Sequence, residues 1–312
     1  MDPVILFFIL GFIACLVKSD LRIPQSFYNV LSIYLLLSIG IKGGIELYKT
    51  DFDKVILPIL GTLLLGTVIT LVAFLILKKI LKFNLDDAAA IAMHYGSVSA
   101  VTFAVVTSYM NSKQIPYEEF MTVLLVMLEV PAIAVALIIF NYSRKSKETK
   151  FADIFHEIIF GKSMMLLLGG LIIGAFISYS GNKQLNFFFL DLFKGFLAIF
   201  MLEMGVVTAE RFSDLKKIGI KLIAFGLIMP LISFSIGMFM AKFLHLSMGG
   251  AIVLGTMAAS ASYIAAPTAA RISIPNANPT YYLSAALGVT FPFNIILGIP
   301  IYTQIVKWFY SI

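Results

Sequence analysis

Apolar residues recur along this chain in runs of about 20, and each run ends in a short cluster of charged residues, Asn, Gly or Pro. A helix of that length crosses a hydrocarbon core of roughly 30 Å. The pattern predicts ten spans, at about 3–17, 27–46, 55–77, 86–110, 119–141, 163–180, 188–208, 217–243, 247–271 and 280–309. The first is short. The one long polar stretch, "NYSRKSKETKFADIFHEIIFGK", separates the fifth span from the sixth. The chain therefore divides into residues 1–145, a connecting loop at 146–162 and residues 163–312.

Five spans per half is an odd number, so related halves must insert upside down relative to one another, as in many secondary transporters. Short matches in the same order support such a repeat. "SVSAVTFAV" aligns with "SASYIAAPT" at an offset of 163 residues, pairing Ser97 with Ser260 and Ser99 with Ser262, and Pro131 pairs with Pro292. The expected fold is an all-α polytopic membrane protein of two inverted five-helix repeats.

Composition agrees: 60% of residues are hydrophobic and 13% charged, against about a quarter charged in soluble domains. The net charge of +6 is dispersed between apolar runs, which argues for topology and against nucleic acid. With the central loop placed in the cytoplasm, 15 of the 23 basic residues, including Arg22, Arg144, Arg211 and Arg271, fall on that side, as the positive-inside bias requires. Both termini are then outside, in the cell (inner) membrane. Asp2 ahead of the first apolar run, with Lys18 and Arg22 after it, is the reverse of a cleavable signal. Cys15 is the one cysteine and there are three histidines, so neither a disulfide nor a thiolate or histidine-rich metal centre is expected.

Spans four and nine are unusual. In "HYGSVSAVTFAVV" the run Gly96, Ser97, Val98, Ser99 strips away bulk, and in "MAASASYIAAPTAA" Ala258 to Ser262 do the same before Pro267 removes a backbone donor. Small residues can simply tighten helix packing. Non-helical backbone at membrane depth, however, survives only where it is buried in protein or lines a cavity, and paired weak points mark a transporter's central site. The two breaks are expected to cross at mid-membrane. Freed carbonyls and hydroxyls suit an alkali cation, and half-helix N-termini suit an anion. No arginine lies at that depth, so a small monovalent anion accompanied by Na⁺ fits better than a dianion.

These residues resemble the sodium-dependent bicarbonate transporter family. The resemblance runs through "HYGSVSAVTFA" and the long stretch from Ala259 to Tyr302, and covers essentially the whole chain. It implies a core of spans three to five and eight to ten moving like an elevator against a gate of spans one, two, six and seven, the gate also forming a homotrimer. It implies Na⁺-dependent symport of bicarbonate in the lipid bilayer, with Na⁺ as the co-transported ion and no organic cofactor. Bicarbonate is carried onto Gly96, Ser97, Ser99, Ser260, Ala261 and Ser262. Na⁺ is carried onto Ser97, Thr102, Phe103, Ser260 and Ser262, with Tyr95, Tyr263 and Asn294 as weaker candidates. It also implies a small trimeric signalling protein at the cytoplasmic surface, against which the short central loop argues. The anion itself could be another small monovalent one on the same scaffold.

Glu129, mid-span beside Pro131, is an ionisable group at depth and so a candidate Na⁺ ligand or electrostatic support; a protonated, hydrogen-bonded structural Glu is the alternative. Asp86 and Asp87 read as helix capping. Lys42 and Glu203 either line the gate or snorkel to the interface. His94 is either a structural or a pH-sensing residue. Gly40, Gly44, Gly170 and Gly174 have close-packing spacing. A Na⁺/H⁺ antiporter would need aspartates in the breaks, and an intramembrane enzyme would need a nucleophile–base pair or a metal set; neither is present in the pattern.

Overall fold

The computed structural model describes residues 3–144, 160–181, 184–212 and 214–311, and no strand forms among them. Most of the central loop, with Lys145, Lys147, Lys150 and His156, lies outside the described residues. In chain order the helices are α1 (Pro3–Leu16), α2 (Gln25–Tyr48), α3 (Asp53–Leu75, continued by a π-helical turn at Ile76–Ile80), α4 (Leu85–Gly96), α5 (Ala100–Ser112) and α6 (Met121–Arg144). Then follow α7 (Lys162–Ser180), α8 (Phe193–Phe212), α9 (Leu215–Phe243), α10 (Met248–Ala258), α11 (Ala266–Ser273) and the long segment α12 (Pro279–Ser311).

Among the described residues, eight stretches are long and apolar enough to cross a membrane; α1 and α10 are apolar but shorter. The stretch 85–112 is the one whose most apolar window is buried throughout. The outward faces of the others carry large apolar side chains such as Leu60, Ile172 and Phe239, as lipid contact requires.

Several helices pack closely along one another. α1 lies along α8 and α2 along α7, while α3 packs on α4 and α6, and α9 on α10. The α2–α7 pair is held by small residues: a methyl on Gly44 would sit 2.0 Å from the Leu171 carbonyl oxygen, and one on Gly174 2.0 Å from that of Ile41. Backbones approach this closely only where side chains are absent, so the glycine spacing read from the sequence is indeed a helix contact.

α12 is wound irregularly, with π-helical stretches at Ser284–Thr290 and Asn294–Gly298. Such bulges cluster at functional sites because they free backbone groups and redirect side chains. Here they bring Thr290 and Asn294 against the broken segments.

Candidate substrate and ion site

α4 begins at Asn84, whose side chain accepts from the Asp87 amide (2.7 Å). α10 begins at Ser247, whose hydroxyl accepts from the Gly250 amide (3.0 Å). Both caps satisfy one orphan amide of the first turn, and both precede a helix that stops abruptly. α4 ends at Gly96, with Ser97 extended (φ −85°, ψ 173°), and α5 starts only at Ala100. α10 ends at Ala258, and the chain stays non-helical until Ala266.

The two interruptions meet. The Ser262 amide donates to the His94 carbonyl (2.8 Å). The Ser99 amide donates to the Ser260 hydroxyl (2.9 Å), which itself donates to the Met257 carbonyl (2.7 Å). Each break thus closes the other's loose backbone, as burial demands. Ser97, Ser99, Ser260 and Ser262 are at most 4% exposed.

The hydroxyls divide into two kinds. Ser260 is spent as a relay. Ser99 Oγ accepts from the Thr102 amide (3.1 Å) and Ser262 Oγ from the Ala266 amide (3.3 Å). A cap uses only an oxygen lone pair, so the hydrogens of Ser99 and Ser262 are left to donate. Ser97 Oγ is buried without a partner among the described residues, and the Tyr263 hydroxyl lies beside Ser99 without closing a hydrogen bond to it. At the start of α5 the Ala100 and Val101 amides have no partner among the described residues. The arrangement converges O–H and N–H donors on one place, at the positive end of a half-helix.

Glu129 reaches the same place from α6. It is 7% exposed, and its Oε2 has no hydrogen-bond partner among the described residues. It shares a narrow void with Ser99 and Ser262. It also opens on a cavity of about 120 Å³ bounded by Ser163, Ala265 and Thr268. A larger cavity of about 410 Å³, lined in part by Phe103, Ala104 and Thr107, lies between α5 and α2. An unpaired buried carboxylate costs several kcal/mol, about as much as a cation in contact would recover. Oxygen-only donors of this kind suit Na⁺ as cargo, and no cluster of three or more His, Cys, Asp or Glu forms among the described residues.

Other candidates hold the scaffold. The Thr290 hydroxyl donates to the Gly226 carbonyl (2.7 Å), so the Tyr95 hydroxyl must be the donor in its 2.6 Å contact with Thr290. The Asn294 amide donates to the Ala259 carbonyl (2.8 Å) and accepts from Tyr302 (2.8 Å), which fixes the second break from behind. His94 Nδ1 faces the Ala90 carbonyl (2.7 Å) and so carries the proton; its ring stacks on Tyr282 with centroids 4.4 Å apart. Gly96 is required by proximity, since a methyl there would lie 1.8 Å from Thr70 Oγ1. Thr102, Phe103 and Ala261 are buried within the breaks or just beyond them.

The acidic pair that opens α4 lies in its first turn, where capping places it. Asn84 is the N-cap and its side-chain amide donates to Asp87 Oδ2 (2.7 Å), while Asp87 Oδ1 also accepts from the Asn278 amide (2.7 Å), tying the loop after α11 to α4. Asp86 faces Arg144 at 3.8 Å. Glu203 accepts from the Ile23 amide (3.2 Å). The sequence reading missed Ser163, which borders both voids beside Glu129; its one signal was a hydroxyl in the first turn of an apolar span.

The family model of the Na⁺-dependent bicarbonate transporter superfamily matches residues 3–307. No curated protein matches the chain.

Proposed function

Since the chain belongs to the Na⁺-dependent bicarbonate transporter superfamily, we propose that it takes up bicarbonate by symport with Na⁺ at the facing breaks of α4–α5 and α10–α11. It is a multi-pass membrane transporter and not an enzyme. The observation that carries the symport site is the pair of hydrogen bonds from the Ser262 amide to the His94 carbonyl and from the Ser99 amide to the Ser260 hydroxyl, which join two interrupted helices deep in the protein.

In this reading bicarbonate accepts from the Ser99, Ser262 and Tyr263 hydroxyls and from the α5 N-terminal amides, with Gly96 and Ala261 giving it close backbone approach. Na⁺ binds next to it against Ser97, Ser260, Thr102 and Glu129, beside Phe103. Two unit charges about 4 Å apart attract by about 4 kcal/mol at an effective dielectric of 20. Neither ion is therefore bound well alone, and the coupling of their transport follows from that attraction.

The chain crosses the bilayer ten times, α1 and the α10–α11 pair joining the eight longer stretches. Matching caps at Asn84 and Ser247, and at Ser99 and Ser262, each 163 residues apart, support inverted repeats. The glycine-locked pairs α1–α8 and α2–α7 form the gate, which trimerises; α3–α6 and α9–α12 form the core, which moves against it as an elevator. The central loop is cytoplasmic and both termini lie outside, in the cell (inner) membrane.

Uptake of labelled bicarbonate into proteoliposomes tests the reading. It should require inward Na⁺, and full uptake without Na⁺ would refute the coupling. Strong competition by another small monovalent anion, with weak bicarbonate uptake, would keep the scaffold and change the cargo.

A further inference from the structure

We infer that the cavity of about 410 Å³ beside α5 is an anion-collecting vestibule, in which Lys42 and Ser38 of α2 form a second, weaker subsite for a small oxyanion. The inference deepens the symport reading by giving its anion a stop on the way to the breaks.

Ser38, Lys42 and Glu46 follow one another at four-residue intervals in a membrane helix, so they lie on one face. All three line the cavity. Such a stripe would be costly against lipid. Here it runs from a floor hydroxyl to a charged rim. Ser38 is 1% exposed, and its Oγ lies beside the Tyr34 hydroxyl without closing a hydrogen bond among the described residues. The Thr107 hydroxyl of the same cavity is committed to the Phe103 and Ala104 carbonyls, so it does not compete with Ser38 as a donor.

The charges that line the cavity are Lys42, Lys49 and Lys194 against Glu46 and Glu119. Lys42 and Glu46 stand 3.7 Å apart, and Glu119 and Lys49 also act on Glu46 electrostatically. Glu46 therefore has Lys49 as a second cation, and Lys42 can turn from it toward an arriving anion without leaving a carboxylate uncompensated. Low-dielectric walls focus the field of such a lysine and raise the local concentration of anions. The cavity also borders Phe103 and Ala104, within one or two helical turns of Ser99. An anion held at Lys42 is thus already close to the breaks.

Two measurements test this. In proteoliposomes, Lys42→Gln should raise the half-saturating bicarbonate concentration about threefold to tenfold while leaving the maximal rate and the Na⁺ half-saturation near wild type, as expected for lost electrostatic collection. Lys42→Arg should restore the wild-type value, and the Lys42→Gln effect should shrink at high ionic strength. An unchanged half-saturation, or a fall in maximal rate alone, would overturn the proposal.

The second measurement needs no transport. In detergent, Thr107→Cys in a Cys15→Ser background is labelled with methanethiosulfonate reagents carrying either a sulfonate or a trimethylammonium group. Relative to a free thiol, the sulfonate should be favoured about fivefold, and Lys42→Gln should abolish the preference. Absence of any preference overturns the vestibule whatever the uptake result. A clear preference in a protein that does not take up bicarbonate would leave the vestibule standing and sink the symport reading.

Discussion

The two interruptions resemble each other in how they begin and differ in how they are finished. Each follows a capped helix, at Asn84 or Ser247; the first ends on Ser99, which caps α5, and in the second Ser262, from within the break, accepts from the first amide of α11. The first break is three residues long and its backbone amide at Ser99 is met by a side chain; the second is seven residues long and its amide at Ser262 is met by a carbonyl. The Ser260 hydroxyl is therefore an inserted link on one side of a contact that is direct on the other. The short break holds a fixed set of donors. The long one depends on support from behind, which Asn294 and the Asp87–Asn278 contact provide. The two breaks thus begin alike and are tied down differently.

That comparison breaks most visibly if both donor caps are removed. Ser99→Ala with Ser262→Ala should lower uptake about 100-fold, since each lost cap costs about 1 kcal/mol and takes with it a donor to the anion. Each single variant should lose roughly tenfold, read as initial rate in proteoliposomes at matched protein content. Glu129→Gln comes next: the half-saturating Na⁺ concentration should rise about tenfold, with bicarbonate half-saturation near wild type at saturating Na⁺. An unchanged Na⁺ half-saturation would remove Glu129 from the ion's surroundings.

Ser260 sharpens the difference between the breaks. Ser260→Ala strands the Ser99 amide at a cost of about 1–3 kcal/mol, so it should lower thermal stability as well as uptake, whereas Ser260→Thr should keep both. The gate is a separate region. Gly174→Val should lower the unfolding temperature by displacing α2 from α7, without shifting Na⁺ half-saturation in the folded fraction. The smallest effect belongs to Asp86→Asn. Its partner Arg144 is 3.8 Å away and half exposed, and such pairs contribute about 0–1 kcal/mol, so uptake should match wild type.

Much of this was legible in the chain. The helix limits follow the hydrophobic runs because lipid enforces length, and the breaks were visible as runs of small residues, Gly96 to Ser99 in one span and Ala258 to Ser262 before Pro267 in the other. What the pattern could not carry was direction. Tyr95 and Asn294 are candidates that the family resemblance implies, yet their tips turn to Thr290 and to Ala259, beside the π-helical turns of α12 that no periodicity announces. Asp87 reads as part of the cap and is, through its exchange with Asn84; its second role was not legible, because only the fold brings Asn278 within reach. Lys42 was undecided between gate and interface until the cavity beside α2 showed which way its helix face looks.

The central claim is that one site holds Na⁺ and the anion in mutual contact, and mutual contact must be reciprocal. Isothermal titration of the purified protein with bicarbonate, at zero and at saturating Na⁺, measures it directly. Na⁺ should tighten bicarbonate binding at least tenfold, and bicarbonate should tighten Na⁺ binding by the same factor. Bicarbonate affinity that is indifferent to Na⁺ would contradict the account.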